Sequence, residues 1–265
     1  MVAAQTATAK NEKRGISGST LKIIALVTML IDHIGAVILQ TMLFADISAN
    51  FNPDGSVKHN ALYITYTVMR AIGRIAFPLF IFLLVEGLMH TTSRWKYLLR
   101  MLVFSVLSEV PFDLALTLTQ KNILEKKFFE FGYQNVFFTL TVGLLTITLI
   151  DWLWKSKLFI TFQIILSAGF CVGGFLLAEF LRTDYGGMGV LAIAVAYFLR
   201  RWKMASVTGA VAVLTAMSLT EACAFVDLLP VAFYNGKRGL NFKWAFYIFY
   251  PLHLFILGLI KFIIF

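Results

Sequence analysis

An acid and an imidazole stand next to each other inside a long apolar run. Residues 21–39 read LKIIALVTMLIDHIGAVIL, and Asp32 and His33 interrupt its centre. An aspartate near the middle of a membrane helix costs about 2.5–3.5 kcal/mol, so such a residue usually faces the interior of a helix bundle and serves a function. A histidine can act as a general base near neutral pH. The pair therefore indicates proton transfer at membrane depth.

Ionisable side chains occur at a similar depth in three further apolar segments. At about 1.5 Å per residue, Asp32 and His33 lie about 16 Å into the first segment. Arg74 lies near the middle of the second segment, Glu109 lies inside the third, and His253 lies inside the last. We expect these groups to meet in the interior of the bundle.

The same charges also have a purely structural interpretation. A buried arginine needs a carboxylate partner. Arg70 lies one turn before Arg74 on the same helix face, so Asp32–Arg74 and Glu109–Arg70 pairs would hold the helices together. Consecutive helical residues point about 100° apart. Asp32 therefore need not touch the adjacent imidazole, and another carboxylate can orient that ring.

The composition is that of a membrane protein. Hydrophobic residues make up 59% of the chain and charged residues 14%, whereas soluble domains carry about 25% charged residues. The apolar runs are too long for barrel strands, so helices must satisfy the backbone in lipid. We therefore expect an all-α, polytopic transmembrane bundle of about nine helices (eight to ten). The predicted segments are 21–44, 61–90, 97–119, 134–150, 158–181, 186–199, 204–220, 222–234 and 244–264.

Two of these segments, 186–199 and 222–234, are short for a membrane span, and eight helices result if 222–234 does not cross.

Residues 1–20 are polar and basic, so we expect a disordered cytoplasmic tail followed by one transmembrane domain over 21–265. The net charge of +9 is concentrated at the ends of the apolar segments. This pattern predicts a multi-pass protein of the inner (cytoplasmic) membrane, surrounded by lipid bilayer, with its N-terminus in the cytoplasm.

The charge pattern and the cysteines exclude other classes. Basic residues that mark helix ends do not form a nucleic-acid patch, so no nucleic-acid partner is expected. Both cysteines lie inside apolar runs, where they behave as small hydrophobic residues, and no metal is expected. The sequence does not predict an oligomeric state.

Further polar motifs lie near the ends of the apolar segments. The glycines of RTDYGGMG permit tight turns and close helix approach. YNGKRG combines two bases with glycines, a pattern that binds phosphates or only marks the inner side of the membrane. These motifs, with the second and fourth segments, contribute Glu86, Asn135, Asp184, Tyr185, Asn235, Lys237 and Arg238.

The motifs considered together resemble the TraX family. They are LKIIALVTMLIDHIGAVI, MRAIGRIAFPLFIFLLVEGLMHTTSRWKYLLR, QNVFFTLTVGLL, DYGGMGVL, YNGKRG and FYPLHLFILGLIK, in family order from residue 21 to 261. The resemblance implies an integral membrane acetyltransferase that uses acetyl-CoA as its cosubstrate. The founding activity of the family is acetylation of the N-terminal amine of pilin. The family is similar to a wider group of membrane acyltransferases in which an intramembrane histidine is the usual catalytic candidate.

The resemblance implies Asp32 and His33 as the leading catalytic pair. Acetyl-CoA would keep its phosphates near basic groups at the inner face while its pantetheine arm enters the bundle. His33 would deprotonate the acceptor, Asp32 or Glu109 would stabilise the imidazolium, and Arg74 or Asn135 would donate to the oxyanion. The residues expected to bind acetyl-CoA or the acceptor are Arg70, Glu86, Asn135, Asp184, Tyr185, Asn235, Lys237, Arg238 and His253.

Two questions stay open from the sequence. The acceptor is a peptide amine such as that of pilin, a glycan, or a lipid headgroup. The alternative function is a proton-coupled transporter, because acids, histidines and arginines at the membrane midplane also form proton relays.

Overall fold

The computed structural model describes residues 15–118, 132–240 and 243–265. This part of the chain is all-helical, with three isolated backbone bridges and no strands. Its α-helices are α1 (Gly18–Ile34), α2 (Gln40–Ala45), α3 (Ile47–Asn50), α4 (Ala61–Gly73), α5 (Ala76–His90), α6 (Arg94–Phe112), α7 (Val136–Leu153), α8 (Ile160–Phe180), α9 (Gly186–Phe198), α10 (Lys203–Met217), α11 (Leu228–Ala232) and α12 (Lys243–Ile264). Two π-helical turns, Gly35–Leu39 and Asp113–Thr117, and a 3₁₀ segment, Leu219–Asp227, complete the described elements.

Five segments of the described chain are long and apolar enough to cross a membrane. They are Gly18–Ala45, Ala61–His90, Val136–Leu153, Ile160–Phe180 and Trp244–Ile264. The prediction of an all-helical membrane protein is confirmed. The count of about nine spans is not: α6 is 19 residues long but carries four charged side chains, and α9 and α10 are shorter apolar helices.

The short segment 222–234 differs from its prediction. It is not one helix, because the 3₁₀ segment Leu219–Asp227 passes directly into the five-residue helix α11. Together these elements lead the chain back to the start of α10, where Lys203 Nζ donates to the carbonyls of Ala232 (2.8 Å) and Tyr234 (2.9 Å).

The helices α7 and α9 form the centre of the bundle. Both are apolar on all sides, as expected of helices that contact neighbours all round. The Val136–Leu153 span is 72% buried, whereas the Ile160–Phe180 span is 17% buried. α8 is therefore peripheral and presents most of its surface outward.

One end of the bundle collects most of the basic segments. Ile16 N donates to Phe233 O (2.9 Å), and Gly18 N donates to Lys237 O (2.8 Å). At the same end, the start of α6 meets the end of α7 through Arg94 and Asp151 (2.6 Å). We call this the basic end; it comprises 15–22, 86–100, 151–157, 200–203 and 232–240.

The described structure begins at residue 15, before the predicted boundary at residue 20 between the N-terminal tail and the transmembrane domain. Residues 1–14 and 119–131 lie outside the described part. Residues 15–20 do not belong to a separate tail, because Ile16 bridges to Tyr234 and α1 begins at Gly18 behind the N-cap Ser17.

The segment 61–90 bends at its middle, and this bend positions the site. α4 ends at Gly73 and α5 begins at Ala76, so Arg74 lies at the junction. Pro78 falls in the first turn of α5, where its missing N–H removes no helical hydrogen bond. A Cβ at Gly73 would overlap the carboxylate of Asp32, so a glycine there lets α4 approach α1 closely.

Candidate functional site

The carboxylate of Asp32 holds two arginines from the helix pair α4–α5. Arg70 Nη1 lies 2.6 Å from Asp32 Oδ2, and Arg74 Nη2 lies 3.2 Å from Asp32 Oδ1. The side chain of Asp32 is 13% exposed and that of Arg70 is 32% exposed. Asp32 is about 21 Å along α1 from Gly18, at about 1.5 Å per residue. The expected Asp32–Arg74 pair is present, but the expected Glu109–Arg70 pair is wrong, because Arg70 binds Asp32 instead.

A second acid completes this ion cluster. Arg74 Nη1 lies 2.8 Å from Glu221 Oε1, and the Glu221 side chain is 1% exposed. Sequence reasoning missed Glu221 because SLTEACAF was interpreted as a junction between two spans. The signal that was available is the count of charges: two midplane arginines need more than one carboxylate. We call Asp32, Arg70, Arg74 and Glu221 the ion cluster.

His33 is oriented by a second histidine and not by a carboxylate. His33 Nδ1 lies 2.6 Å from His253 Nε2, and the two rings lie nearly in one plane, at an interplanar angle of 15° with centroids 4.9 Å apart. His253 Nδ1 lies 2.7 Å from the carbonyl oxygen of Phe249. Counting residues along the apolar segments predicts the two histidines at a similar membrane depth, and the structure brings them into direct contact.

The direction of these hydrogen bonds fixes the tautomers. A carbonyl only accepts, so the Nδ1 of His253 carries a proton and its Nε2 carries a lone pair. That lone pair accepts from His33 Nδ1–H. A neutral His33 therefore has its unprotonated nitrogen at Nε2, which is the state a general base requires.

Glu109 and Asn135 form a capping contact. Asn135 Nδ2 donates to Glu109 Oε2 and to the carbonyl of Ser105 (2.9 Å). Its Oδ1 accepts from Phe137 N (3.0 Å) and thereby caps α7. Asn135 is fully buried, and this cap engages its amide group. The structure thus brings Glu109 to Asn135 and not to His33.

The segment around Asp184 and Tyr185 lies near the ion cluster, since the Asp184 carboxyl interacts electrostatically with Arg74. Tyr133 Oη donates to Asp184 Oδ1 (2.7 Å), and the Tyr185 ring stacks on Phe77 at 3.8 Å between centroids. Burial raises the pKa of the Asp184 carboxyl, and the bond from Tyr133 offsets part of that rise. Tyr185 has φ 64°, a left-handed conformation that costs a non-glycine residue about 1–2 kcal/mol. The left-handed backbone of Tyr185 and the stacking of its ring on Phe77 together fix the conformation of this turn.

A cavity of about 610 Å³ leads from the basic end toward the histidines. Lys22, Arg100 and Arg238 line it at the basic end, with Glu86 among them. Most of its remaining wall is apolar, and its deep end is lined by Tyr250 together with residues of the first turns of α7. We call the basic part the cavity mouth.

Some of the residues expected to bind acetyl-CoA lie at the cavity mouth. Of the residues expected to bind acetyl-CoA near the inner face, Glu86 and Arg238 line the cavity, whereas Asn235 and Lys237 do not. Asn235 Nδ2 instead donates to Gly15 O (3.1 Å), which ties the loop to the start of the described chain. Sequence reasoning missed Lys22 and Arg100, because a basic residue at a helix end was interpreted as a topology signal alone.

Within the described residues, neither Lys22 nor Arg100 forms an ion pair. Lys22 Nζ lies over the Phe246 ring at 5.1 Å, and the Arg100 guanidinium lies 5.6 Å from the Tyr97 ring. Lys22 also lies close enough to Arg238 for the two cations to repel each other. A group of cations lined up in this way is suited to an anion. In the same described part, no three His, Cys, Asp or Glu side chains converge as metal ligands would.

Comparison with known proteins assigns the chain to a family. A family model described as "TraX protein" matches residues 17–261. The chain is 27% identical over 260 residues to a "Probable fimbrial assembly protein FimC, serogroup H1" of Dichelobacter nodosus, covering 91% of this chain and 94% of that protein. No solved structure matches. The chain belongs to the TraX family.

Proposed function

We propose that the protein is an integral membrane acetyltransferase that moves the acetyl group of acetyl-CoA to an amine acceptor. One observation carries the proposal: a cavity with a cationic mouth reaches Tyr250, whose ring contacts a histidine pair, and the hydrogen bonds of that pair leave Nε2 of His33 as a base. A proton relay needs the histidine pair but has no use for a cationic mouth of this kind.

The cavity is suited to a long ligand with an anionic end. Lys22, Arg100 and Arg238 would bind the phosphates, since charge-assisted hydrogen bonds to phosphate are among the strongest polar contacts. The apolar wall beyond them fits a slender pantetheine arm. Acetyl-CoA is cytosolic, so this assignment also places the basic end in the cytoplasm, in agreement with the positive-inside rule.

His33 would act as the general base. Its Nε2 takes a proton from the acceptor nitrogen as that nitrogen attacks the thioester carbon, and the C–S bond breaks when the tetrahedral intermediate collapses. The leaving CoA thiolate then takes the proton from His33. His253 keeps Nδ1–H of His33 engaged throughout, so the ring does not rotate during the two proton transfers.

Arg74 would stabilise the oxyanion through its charge. Asp32 and Glu221 hold its guanidinium on both sides, and it lies close enough to His33 to interact electrostatically. A cation that is fixed before the reaction stabilises developing negative charge without reorganising. Asp32 is therefore a positioning residue for Arg74 in this account.

The acceptor is proposed to be the N-terminal amine of a pilin or fimbrial subunit. The resemblance to the TraX family implies acetylation of a pilin amine, and the similar D. nodosus protein carries a fimbrial assembly name. A subunit of that kind is expected to present its amine at the membrane.

The test is CoA release by protein held in nanodiscs, with acetyl-CoA and an apolar peptide bearing a free N-terminal amine. We expect thiol release and peptide acetylation by the wild type, and a loss of at least about a hundredfold in His33→Gln, the range for removal of a general base. His59→Gln, an exposed histidine of the 51–60 loop, is the matched control and should be unaffected. Equal rates in wild type and His33→Gln would overturn the assigned base. If acetyl-CoA does not bind and proton flux is observed, the transporter alternative is correct.

A further inference from the structure

One side chain, Tyr250, contacts both the cavity and the histidine pair. Neither His33 nor His253 lines the cavity, but Tyr250 does. The Tyr250 ring lies 6.0 Å from the His33 ring and 5.7 Å from the His253 ring, between centroids. A thioester that enters from the mouth therefore meets Tyr250 before it meets Nε2 of His33.

Tyr250 is held in this position from two sides. Its hydroxyl lies close enough to the backbone N–H of Val136, in the first turn of α7, to interact with it electrostatically. Its ring packs edge-to-face on Phe137, with centroids 4.9 Å apart. The side chain is 3% exposed. These contacts hold the ring at the deep end of the cavity, yet ring contacts and a single neutral polar interaction are each weak enough to open.

We propose that Tyr250 is a shutter between the donor cavity and His33, and that it must swing away from Val136 before the acetyl group reaches the base. The catalytic meaning of this motion rests on the proposed acetyltransferase function, whereas the barrier itself is a property of the structure. A closed shutter keeps a bound thioester away from the base until the acceptor arrives. It thereby suppresses hydrolysis, in which water adds to the thioester and gives acetate, free CoA thiol and a proton.

The barrier is tested without any enzymatic activity. His33→Cys is introduced after Cys171→Ala and Cys223→Ala, and an anionic, membrane-impermeant methanethiosulfonate is added to sealed vesicles on the side of the basic end. We expect slow modification of the introduced thiol when Tyr250 is present. We expect Tyr250→Phe, which loses only the hydroxyl and its interaction with the Val136 N–H, to accelerate modification by about two- to tenfold. Tyr250→Ala, which loses the ring as well, is expected to react faster still.

Phe255→Ala is the matched control. Phe255 lies on the same helix, α12, but it is exposed and does not line the cavity. Its loss should leave the modification rate of the introduced thiol unchanged. Equal rates for Tyr250, Tyr250→Phe and Tyr250→Ala would overturn the shutter, and so would equal acceleration by Phe255→Ala.

The catalytic consequence is measured separately in protein that keeps His33. We expect Tyr250→Ala to release CoA from acetyl-CoA in the absence of any acceptor at least about tenfold faster than wild type or Phe255→Ala. If labelling of the introduced thiol follows the prediction but no protein turns over acetyl-CoA, the barrier stands and the acetyltransferase proposal fails. If wild type acetylates the free-amine peptide but Tyr250→Ala changes neither labelling nor hydrolysis, the acetyltransferase stands and the shutter fails. Melting temperatures of all variants show whether each one is folded.

Discussion

The ion cluster and the cavity mouth both contain basic side chains, but the two regions differ in the carboxylate partners that they offer to these side chains. In the ion cluster, Arg70 and Arg74 are matched by Asp32 and Glu221 at 2.6–3.2 Å. In the mouth, Lys22 and Arg100 have no carboxylate partner within the described chain. Matched charges hold helices and fix directions, whereas unmatched charges are available to a ligand. The same residue types therefore serve structure in one region and binding in the other.

The strongest test of this contrast removes the centre of the ion cluster. Arg74→Ala leaves two largely buried carboxylates without their shared partner, and losing one member of a buried ion pair costs about 3–5 kcal/mol. We expect a large fall in melting temperature in detergent. Arg100→Ala is the matched variant from the cavity mouth and should melt close to wild type. Equal losses of stability would abolish the distinction between the two regions.

A smaller loss of stability is expected from a substitution at Gly73, where the backbone of α4 lies close to the ion cluster. Gly73→Ala adds a Cβ that overlaps the carboxylate of Asp32, and overpacking of this kind costs about 1–3 kcal/mol. Gly173→Ala on α8 is the control, since no atom lies within 4 Å of its added Cβ. Thermal unfolding should separate the two variants. A Gly73→Ala protein as stable as Gly173→Ala would show that α1 and α4 can move apart freely.

Substitution of the basic residues at the cavity mouth should lower the affinity for acetyl-CoA and leave the stability of the protein unchanged. Lys22→Ala and Arg100→Ala each remove one charge-assisted contact, so we expect acetyl-CoA binding by calorimetry to weaken by about tenfold per residue, with a weaker salt dependence. Arg201→Ala, an exposed cation at the basic end that does not line the cavity, serves as control. If Arg201→Ala weakens binding as much as the other two, the effect is one of net charge and not of a site.

The smallest effect concerns the rim of the mouth. Tyr234→Phe removes the hydrogen bond from the Tyr234 hydroxyl to Glu86 Oε2 (3.1 Å). One such bond contributes about 0.5–1.5 kcal/mol. We expect a slight loss of thermal stability and at most a few-fold change in acetyl-CoA affinity. Tyr63→Phe, at the opposite end of the bundle, should change neither quantity.

The depth of each ionisable side chain along its helix was predictable from the sequence. The direction in which the side chain points around the helix axis was not. Counting residues placed Asp32, His33, Arg74 and His253 at one level, and the structure brings them together. The choice of partners depends on how each helix is rotated and on where α4 bends. That is why Glu109 was expected to pair with Arg70 but contacts Asn135 in the structure.

Two other differences have local causes. Glu221 was missed because the chain folds back through a 3₁₀ segment before completing a span, and no charge count along one helix reveals such a return. The cap formed by Asn135 was readable, since an asparagine directly before an apolar helix is a common N-cap. Lys22 and Arg100 were ambiguous because the positive-inside rule already accounts for a basic residue at a helix end.

Acetyl transfer by His33 is the central claim, and an isotope-labelled acetyl group follows it most directly. Labelled acetyl-CoA is incubated with nanodisc-held protein and a free-amine peptide, for wild type and His33→Gln side by side. The account predicts label on the N-terminal amine of the peptide with the wild type and none above background with His33→Gln, while both proteins bind acetyl-CoA. Label transfer at the wild-type rate by His33→Gln would contradict it.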